Sequence, residues 1–259
     1  MTLLLDLGNT RLKAARSDGS GGLELLGEAS HREHGMAGAL ARALGASAPG
    51  AGVAWCANVA GPAAGEALAA ALAQAGGGGL SFLRAAPEAC GVSCAYAEPA
   101  RLGADRWAAL LGARGLSAAP CVVVDAGSAL TIDAMAAQGR HLGGWILPGL
   151  AMMVDALEAR TGDLARFRQA SAPAVTGGFP TDTRSAMEEG ARLAALGAVA
   201  AAQERLALHA GAPARLFLTG GDAPALHSAL ETAELVPELV LLGLARAAAG
   251  NPVSNMNAC

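Results

Sequence analysis

The sequence predicts an α/β fold made of two similar lobes, and three observations support this prediction. Apolar segments of strand length alternate with Ala-rich segments of helix length along the chain. The pattern of strand, tight turn and strand in LLLDLGNTRLKA recurs, without gaps, in VVVDAGSALTID, which begins at Val122. The first pattern ends before residues 117–120, and the strand–turn–strand pattern starts again after them. We therefore expect an internal duplication, with one lobe at residues 1–118, a second at residues 119–259, and a cleft between them.

The first lobe is expected to hold five strands and three helices. The strands are LLLDL, RLKAAR, GLELLGEA, VAWCAN and LSFL, which are short and mostly apolar. The helices are expected at about residues 36–44, at 62–75, where a run of four glycines stops the second one, and from about 105 to 115. Residues 85–103 show neither the hydrophobic period of a helix nor that of a strand, and are expected to be irregular.

The second lobe is expected to repeat this plan. Its strands are CVVVD, LTIDAM, HLGGWILPG, RLFLTGG and AELV. Helices are expected at residues 150–161, at 183–208, in a short segment after RLFLTGG, and at 238–249. The tail NPVSNMNAC is expected to be loose.

The composition excludes several classes of protein. It is 53% hydrophobic and 15% charged with a net charge of −4, which is a globular profile without the basic stripe that nucleic-acid binding needs. No apolar run approaches the ~18 residues of a membrane span, and the start of the chain lacks the basic segment of a signal peptide. Cys90 and Cys94 resemble half of a metal site, but no second pair lies nearby. The five cysteines, odd in number and scattered, indicate reduced thiols and a cytoplasmic protein.

The first candidate site is the turn between the first two strands. Asp6, at the end of a strand, is suited to hold a hydrated Mg²⁺, and the turn around Gly8 can offer donors to phosphate oxygens. Lys13 can reach the same phosphates as a point charge. A plain β-hairpin turn explains the motif alone about equally well. The second copy, at Asp125, favours the functional interpretation.

Two further turns extend this phosphate-binding pattern. Asp125 lies where its strand ends, which is where open α/β sheets bind ligands, and Ser128 supplies a hydroxyl. Gly220 and Gly221 follow the strand RLFLT and would let a ring or ribose lie against the backbone. An ordinary strand-to-helix connection explains the two glycines equally well.

The segment GADRW lies at the start of a predicted helix. Asp105 has two interpretations there, as an N-cap residue that stabilises the first turn by ~1 kcal/mol or as a general base beside Arg106, an anion binder. Tyr96, the only tyrosine, lies upstream in the irregular stretch. The five histidines show no metal-binding spacing, and His31 and His34 are expected in a solvated polar loop.

The order of these motifs resembles the type III pantothenate kinases and the closely related Bvg accessory factor proteins. The motifs are DLGNTRLK, Tyr96 followed by GADRW, VVVDAGSALTID, GGWILPG, a helix start at Thr183, and TGG. The resemblance covers nearly the whole chain, and the combination is specific although no single motif is. It implies an α/β, two-lobed actin-like ATPase fold (acetate/sugar kinase–Hsp70–actin, ribonuclease H-like). It also implies phosphorylation of pantothenate by ATP, with Mg²⁺ and a monovalent cation, K⁺ or NH₄⁺, in a homodimer whose substrate pocket lies at its interface.

The resemblance also implies a role for each candidate residue. ATP would be bound by Asp6, Leu7, Gly8, Asn9, Thr10, Arg11, Leu12, Lys13, Ser128, Gly220 and Gly221. Pantothenate would contact Tyr96, Gly103, Ala104, Asp105, Arg106 and Thr183, with Thr181 as an alternative to Thr183. Asp105 would be the base, Asp125 would hold the monovalent cation and Asp6 would hold Mg²⁺. The family commonly has Thr where Ser128 stands, so the hydroxyl group is kept.

Two other functions stay open at this point. One is a different small-molecule kinase on the same fold, against which the GADRW segment argues. The other is a non-catalytic regulatory protein, against which the intact Asp6, Lys13, Asp105 and Asp125 argue.

Overall fold

A computed structural model describes residues 1–161 and 178–250, so the predicted loose tail lies outside the described residues. The chain divides into two compact units. Unit 1 contains Met1–Ala118, Ala137–Gly143 and the chain from Glu238 onward, and unit 2 contains Ala119–Ala136 and Gly144–Pro237. Neither unit is continuous in sequence, and each is described by itself below.

Unit 1 is built on a sheet with the order β3-β2-β1-β4-β5. Its strands are β1 (Thr2–Leu7), β2 (Arg11–Ser17), β3 (Leu23–Ser30), β4 (Ala54–Asn58) and β5 (Leu80–Phe82). The first three strands are antiparallel, and β4 and β5 run parallel to β1. Leu3, Leu5 and Leu7 face one apolar core, because alternate residues of a strand point to the same side of the sheet.

Helices α1 (His31–Leu44) and α2 (Pro62–Gln74) cover that core, and α3 (Ala104–Leu116) also belongs to unit 1. The stretch predicted to be irregular contains a short hairpin of β6 (Glu88–Ala89) and β7 (Val92–Ser93), followed by a 3₁₀ turn at Pro99–Arg101. Cys90 and Gly91 both have positive φ values, of 50° and 76°, which is the backbone of a tight two-residue hairpin turn.

Helix α1 begins five residues before the predicted start. Ser30 is its N-cap and accepts a hydrogen bond from the backbone N–H of Glu33, at 3.3 Å. Ser-His-Arg-Glu is therefore a capping-box sequence, a signal that the sequence contained. Gly35, with φ of 66°, interrupts the helical backbone and obscures the pattern. The prediction that His31 and His34 lie in a loop is wrong, since both are helical.

Unit 2 is built on a second sheet with the same plan, in the order β10-β9-β8-β11-β12. Its strands are β8 (Cys121–Ala126), β9 (Ala129–Met135), β10 (His141–Pro148), β11 (Arg215–Thr219) and β12 (Ala233–Leu235), with β10 starting in the segment that belongs to unit 1. Helices α4 (Leu150–Arg160) and α5 (Thr183–Ala210) pack together, and α6 (Ala223–His227) is a short turn of helix.

The final described helix, α7 (Leu239–Gly250), packs on α3 and therefore belongs to unit 1. The two helices cross so closely that a Cβ atom on Gly243 would lie 1.8 Å from the carbonyl oxygen of Ala108. The predicted boundary at residues 118–119 groups this helix with the second lobe. A contact between segments this far apart in the chain leaves no pattern in the local sequence.

The duplicated hairpins differ by one residue in their turns. Asp6 pairs with Lys13 across the first hairpin, whereas Asp125 pairs with Thr131 across the second. The gapless alignment, which matches Lys13 with Ile132, is therefore wrong after the turn. Leu12 and Leu130, both buried, are the equivalent residues. A one-residue slip would turn every side chain to the opposite face of its sheet, so burial sets the register.

Candidate active site

The first candidate phosphate loop, the turn at residues 8–10, closes the hairpin of β1 and β2. Asp6 and Lys13 are directly opposite each other, so their side chains lie on the same face of the sheet. The Gly8 N–H donates to the Arg11 carbonyl at 3.0 Å, and Asn9 at the tip is exposed. An acidic and a basic side chain thus flank this turn.

The start of α1 holds this loop through three contacts that sequence reasoning missed. The Nε2 atom of His31 lies 2.9 Å from the Gly8 carbonyl oxygen, and the His31 N–H donates to the Thr10 carbonyl at 3.1 Å. Arg32 Nε donates to the Asn9 carbonyl at 3.0 Å. Three consecutive loop carbonyls are therefore bound by one helix start. The capping-box sequence was the available signal, because it places α1 directly after β3.

Several predicted ATP-binding residues point away from solvent or are already paired. The side chains of Leu7 and Leu12 are fully buried, so they can reach a ligand only through their backbone. Arg11 forms an ion pair with Glu28 on β3.

Burial, and secondarily the Asp6 carboxylate, raises the pKa of the Cys56 thiol, which is thereby kept protonated.

The second candidate phosphate loop, at residues 125–128 in unit 2, contacts two other segments. The Gly149 N–H donates to the Ser128 carbonyl at 3.1 Å, which explains the GGWILPG motif as a contact to this loop. Ser128 itself is exposed at the tip of the turn. The Asp222 N–H donates to the Ala126 carbonyl at 2.8 Å. The loop at Gly220 and Gly221 therefore lies against the loop at Asp125 and Ser128.

Gly220 is the point of closest approach between these two loops. Its φ is 97°, and a Cβ atom there would lie 2.3 Å from the Ala126 carbonyl oxygen and 2.4 Å from Asp125 Oδ1. Asp125 Oδ1 and the Ala126 carbonyl oxygen thus both pack against Gly220, and both are ligand types that hard cations prefer. Burial raises the pKa of the neighbouring Asp222 carboxyl group, a second acidic residue that sequence reasoning missed.

The GADRW segment forms the start of α3. Gly103 is the N-cap, so the interpretation of Asp105 as the N-cap residue is wrong. Asp105 is the second helical residue, and its Oδ1 atom accepts a hydrogen bond from the Arg106 N–H at 2.7 Å. The carboxylate is half-buried at the helix N-terminus, where backbone N–H groups favour negative charge.

Tyr96 and Arg106 are brought together although ten residues separate them. Arg106 Nη1 donates to the Tyr96 hydroxyl at 3.2 Å, and the guanidinium carbon lies 6.0 Å from the centre of the Tyr96 ring. The Arg106 side chain is otherwise enclosed, with 5% of its surface exposed. Unit 1 therefore joins an anion-binding guanidinium, a phenol and a carboxylate around one helix start.

Thr183 is the first residue of α5 and is half-buried, whereas Thr181 lies before the N-cap and is exposed. Asp182, the N-cap, accepts from the Ser185 N–H at 2.9 Å. Arg184 binds Glu158 of α4 at 2.5 Å, and the Glu158 side chain is almost fully buried. This ion pair fixes the start of α5 on α4.

Within the described ranges, 1–161 and 178–250, no group of three His, Cys, Asp or Glu side chains is arranged to hold a metal ion. Over the same residues, no helix has both the length and the apolar character to span a bilayer.

Comparisons with known proteins place these features in a family. A family model described as type III pantothenate kinase matches residues 2–205. A type III pantothenate kinase of Aromatoleum aromaticum is 40% identical over 252 residues, covering 95% of this chain and 96% of its own. One from Chromobacterium violaceum is 39% identical over 250 residues, covering 96% and 99%.

Solved structures share the fold. A protein described as a 2-dehydro-3-deoxygalactonokinase from Sinorhizobium meliloti aligns with a TM-score of 0.59 at 17% identity, covering 96% of this chain and 98% of its own. A protein described as a Baf family transcriptional activator from Campylobacter jejuni aligns with a TM-score of 0.57 at 22% identity, covering 95% and 96%. The expected α/β, actin-like ATPase fold is confirmed. Together with the family match along most of its length, this shows that the chain belongs to the type III pantothenate kinase family.

Proposed function

We propose that this chain transfers the γ-phosphoryl group of ATP to the primary hydroxyl of pantothenate, giving 4′-phosphopantothenate in the first step of coenzyme A biosynthesis. The observation that carries this proposal is the family match of residues 2–205, a range in which Asp6, Lys13, Asp105 and Asp125 are all intact. The reaction draws on ATP, which supports a cytoplasmic location.

The residues around the start of α3 suit the acceptor side of the reaction. Arg106, held by Tyr96, offers a planar set of donors to the carboxylate of pantothenate. Asp105 accepts the proton of the attacking hydroxyl. That oxygen forms a bond to the γ-phosphorus, while the bond from the γ-phosphorus to the bridging oxygen breaks and ADP leaves with its electron pair. Gly103 and Ala104 lie at the same helix start. Thr183, in unit 2, is a further proposed contact of pantothenate.

The two hairpin turns suit the phosphate side. The residues from Asp6 to Lys13 would bind the phosphates through the turn backbone and the Lys13 ammonium group, and Ser128 would add a hydroxyl. Gly220 and Gly221 would lie beside the adenosine. Asp6 is the residue that would hold Mg²⁺. A single carboxylate fits that ion, which usually keeps several waters and binds protein through one or two carboxylates plus substrate phosphates. Bound Mg²⁺ supplies charge neutralisation to the phosphates.

We further propose that Asp125 holds a monovalent cation, K⁺ or NH₄⁺. Asp125 Oδ1 and the Ala126 carbonyl oxygen converge beside Gly220, which is a suitable donor set for such an ion. Turnover in sodium buffer free of K⁺ and NH₄⁺ is expected to fall at least about tenfold, because a fixed charge beside the phosphates is lost. Pantothenate-dependent ADP release, measured with KCl, NH₄Cl or NaCl at equal ionic strength, checks this. Full activity in sodium alone would contradict it.

We also propose a homodimer, supported by exposed apolar side chains in unit 2. They lie on β10, which is an edge strand, and on α4 and α5: Ile146, Met152, Leu157 and Leu193. Ile146 is 65% exposed, and such apolar surface on an edge strand is typical of an interface.

Light scattering is expected to give the dimer mass for the parent protein and the monomer mass for Ile146→Glu, with loss of pantothenate-dependent turnover in the variant. Leu25→Glu is the matched control, since Leu25 is a similarly exposed apolar residue, at 58%, on β3 of unit 1, and its mass should stay that of the dimer. A fully active parent protein at monomer mass would defeat the proposal.

The function itself is tested by ATP turnover with and without pantothenate, with a sugar-acid kinase substrate such as 2-dehydro-3-deoxygalactonate in parallel. Pantothenate-dependent ADP release with formation of 4′-phosphopantothenate is expected. Turnover with the sugar acid alone would instead favour a different kinase, and no turnover with either substrate would favour a regulatory protein.

A further inference from the structure

His141 is a buried histidine that the sequence pattern did not distinguish from the other four. It begins β10, in the segment that belongs to unit 1, and only 2% of its surface is exposed. Its ring stacks on Tyr96, with the ring centres 6.1 Å apart and the planes 17° from parallel. Such a stack restrains the rotation of the Tyr96 side chain.

A second contact binds the same histidine to the backbone beside Tyr96. The Ala95 N–H donates to His141 Nδ1 at 3.4 Å, so the ring proton of the neutral imidazole lies on Nε2. Two residues before Ala95 and one before His141, Ser93 and Arg140 form a parallel backbone bridge. Residues 93–96 are therefore aligned along residues 140–141, and His141 restrains Tyr96 through both its backbone and its ring.

The opposite partner of Tyr96 is Arg106, whose Nη1 atom donates to the Tyr96 hydroxyl. Since Arg106 also follows Asp105 directly in the first turn of α3, its orientation matters for any acceptor bound there. The three side chains form a continuous series, from His141 through Tyr96 to Arg106, in which every contact lies within unit 1.

We propose that His141 is a positioning residue for acceptor recognition: it holds Tyr96 in the orientation in which the phenol fixes the Arg106 guanidinium toward the substrate carboxylate. This inference rests on the proposed pantothenate kinase activity. It predicts that His141 affects the binding of pantothenate and leaves the binding of ATP unchanged, because its ring contacts Tyr96 and the backbone of Ala95, beside the proposed acceptor site.

Two replacements separate the two contacts of the ring. His141→Phe keeps the stack and removes the Nδ1 acceptor, whereas His141→Asn keeps an acceptor for the Ala95 N–H and removes the stack. Each is expected to raise the KM for pantothenate about 3- to 10-fold, the effect of losing one ordinary hydrogen bond or ring contact. The KM for ATP and kcat should stay within about twofold. His227→Phe is the matched control, since a ring nitrogen of His227 also contacts the backbone, in this case the Ala233 carbonyl oxygen at 3.2 Å, but in unit 2.

A double replacement distinguishes positioning from a general loss of stability. With Tyr96→Ala there is no ring left for His141 to hold, so adding His141→Phe should leave the KM for pantothenate at the value of Tyr96→Ala alone. Pantothenate without ATP raises the melting temperature of a protein that binds it. This rise should be smaller in each His141 variant than in the parent protein, which gives a readout independent of turnover. Three results would overturn the inference. The first is a KM for pantothenate in the double variant equal to the product of the two single effects. The others are an unchanged KM for pantothenate in both His141 variants, or an equal rise of that KM in His227→Phe. A parent protein that neither binds nor phosphorylates pantothenate would instead overturn the proposed function, and the inference with it.

Discussion

Replacing Asp105 with Asn is expected to give a folded, ATP-binding protein whose turnover with pantothenate is lower by about 10²-fold or more. The amide keeps an oxygen that can accept the Arg106 N–H, a contact that Asp105 makes at 2.7 Å, so the first turn of α3 should retain its local hydrogen bond. What the amide loses is the capacity to accept a proton from the substrate hydroxyl. A large loss of kcat with little change in stability therefore identifies proton transfer as the role of this carboxylate.

The structural alternative predicts a different outcome. If Asp105 only stabilises the helix N-terminus, Asp105→Asn should lower the melting temperature slightly and leave kcat close to that of the parent protein. Glu33→Gln is the matched control, because Glu33 is the acidic residue in the first turn of α1 and lies outside the proposed acceptor pocket. Turnover, melting temperature and ATP affinity should be measured for all three proteins. Near-parent turnover in Asp105→Asn would require the base assignment to be withdrawn.

Replacing Gly220 with Ala is expected to destabilise the protein by at least about 2 kcal/mol and to remove most of its activity. The residue has a φ of 97°, and the added methyl group would overlap the Ala126 carbonyl oxygen and Asp125 Oδ1, at 2.3 and 2.4 Å. The Ala126 carbonyl oxygen cannot rotate away, because it accepts the Asp222 N–H of the neighbouring loop. Relief would require the two loops to separate, which displaces the proposed cation ligands.

Gly221 supplies a control one residue away. A Cβ atom on Gly221 meets no heavy atom within 4 Å, so Gly221→Ala should keep the stability of the parent protein. Thermal unfolding and the dependence of turnover on KCl, measured for both variants, separate a steric effect from a general intolerance of alanine in this turn. Equal behaviour of the two variants would show that the close approach at Gly220 is unimportant.

Much of the fold was predictable because its strands carry strong local patterns. The apolar runs that end at Asp6 and Asp125 identified β1 and β8, and their similarity predicted two sheets of the same plan. The one-residue difference between the turns was not predictable, since it becomes visible only when burial on β2 and β9 is compared. Helix α1 was predicted too short, because Gly35 lowered the helical propensity of its first turn.

The candidate site was predictable where residues are close in sequence. The turns at Gly8, Ser128 and Gly220 each follow directly on a strand, so their motifs identify them. The contacts of His31 with one loop and of His141 with Tyr96 depend instead on segments that meet only in the folded chain. An isolated histidine has no spacing that distinguishes such a role from packing.

The packing of α7 on α3 has a consequence for how the protein is made. The helix that begins with the proposed base cannot bury its apolar face until residues 239–250 have left the ribosome. At about 5–20 residues per second, synthesis of the intervening chain takes on the order of ten seconds. During that interval the segments of unit 2 are synthesised and can begin to fold, while the face of α3 that packs on α7 stays uncovered. Nascent chains stalled or truncated before α7 should therefore hold a folded second unit and an unfinished first one.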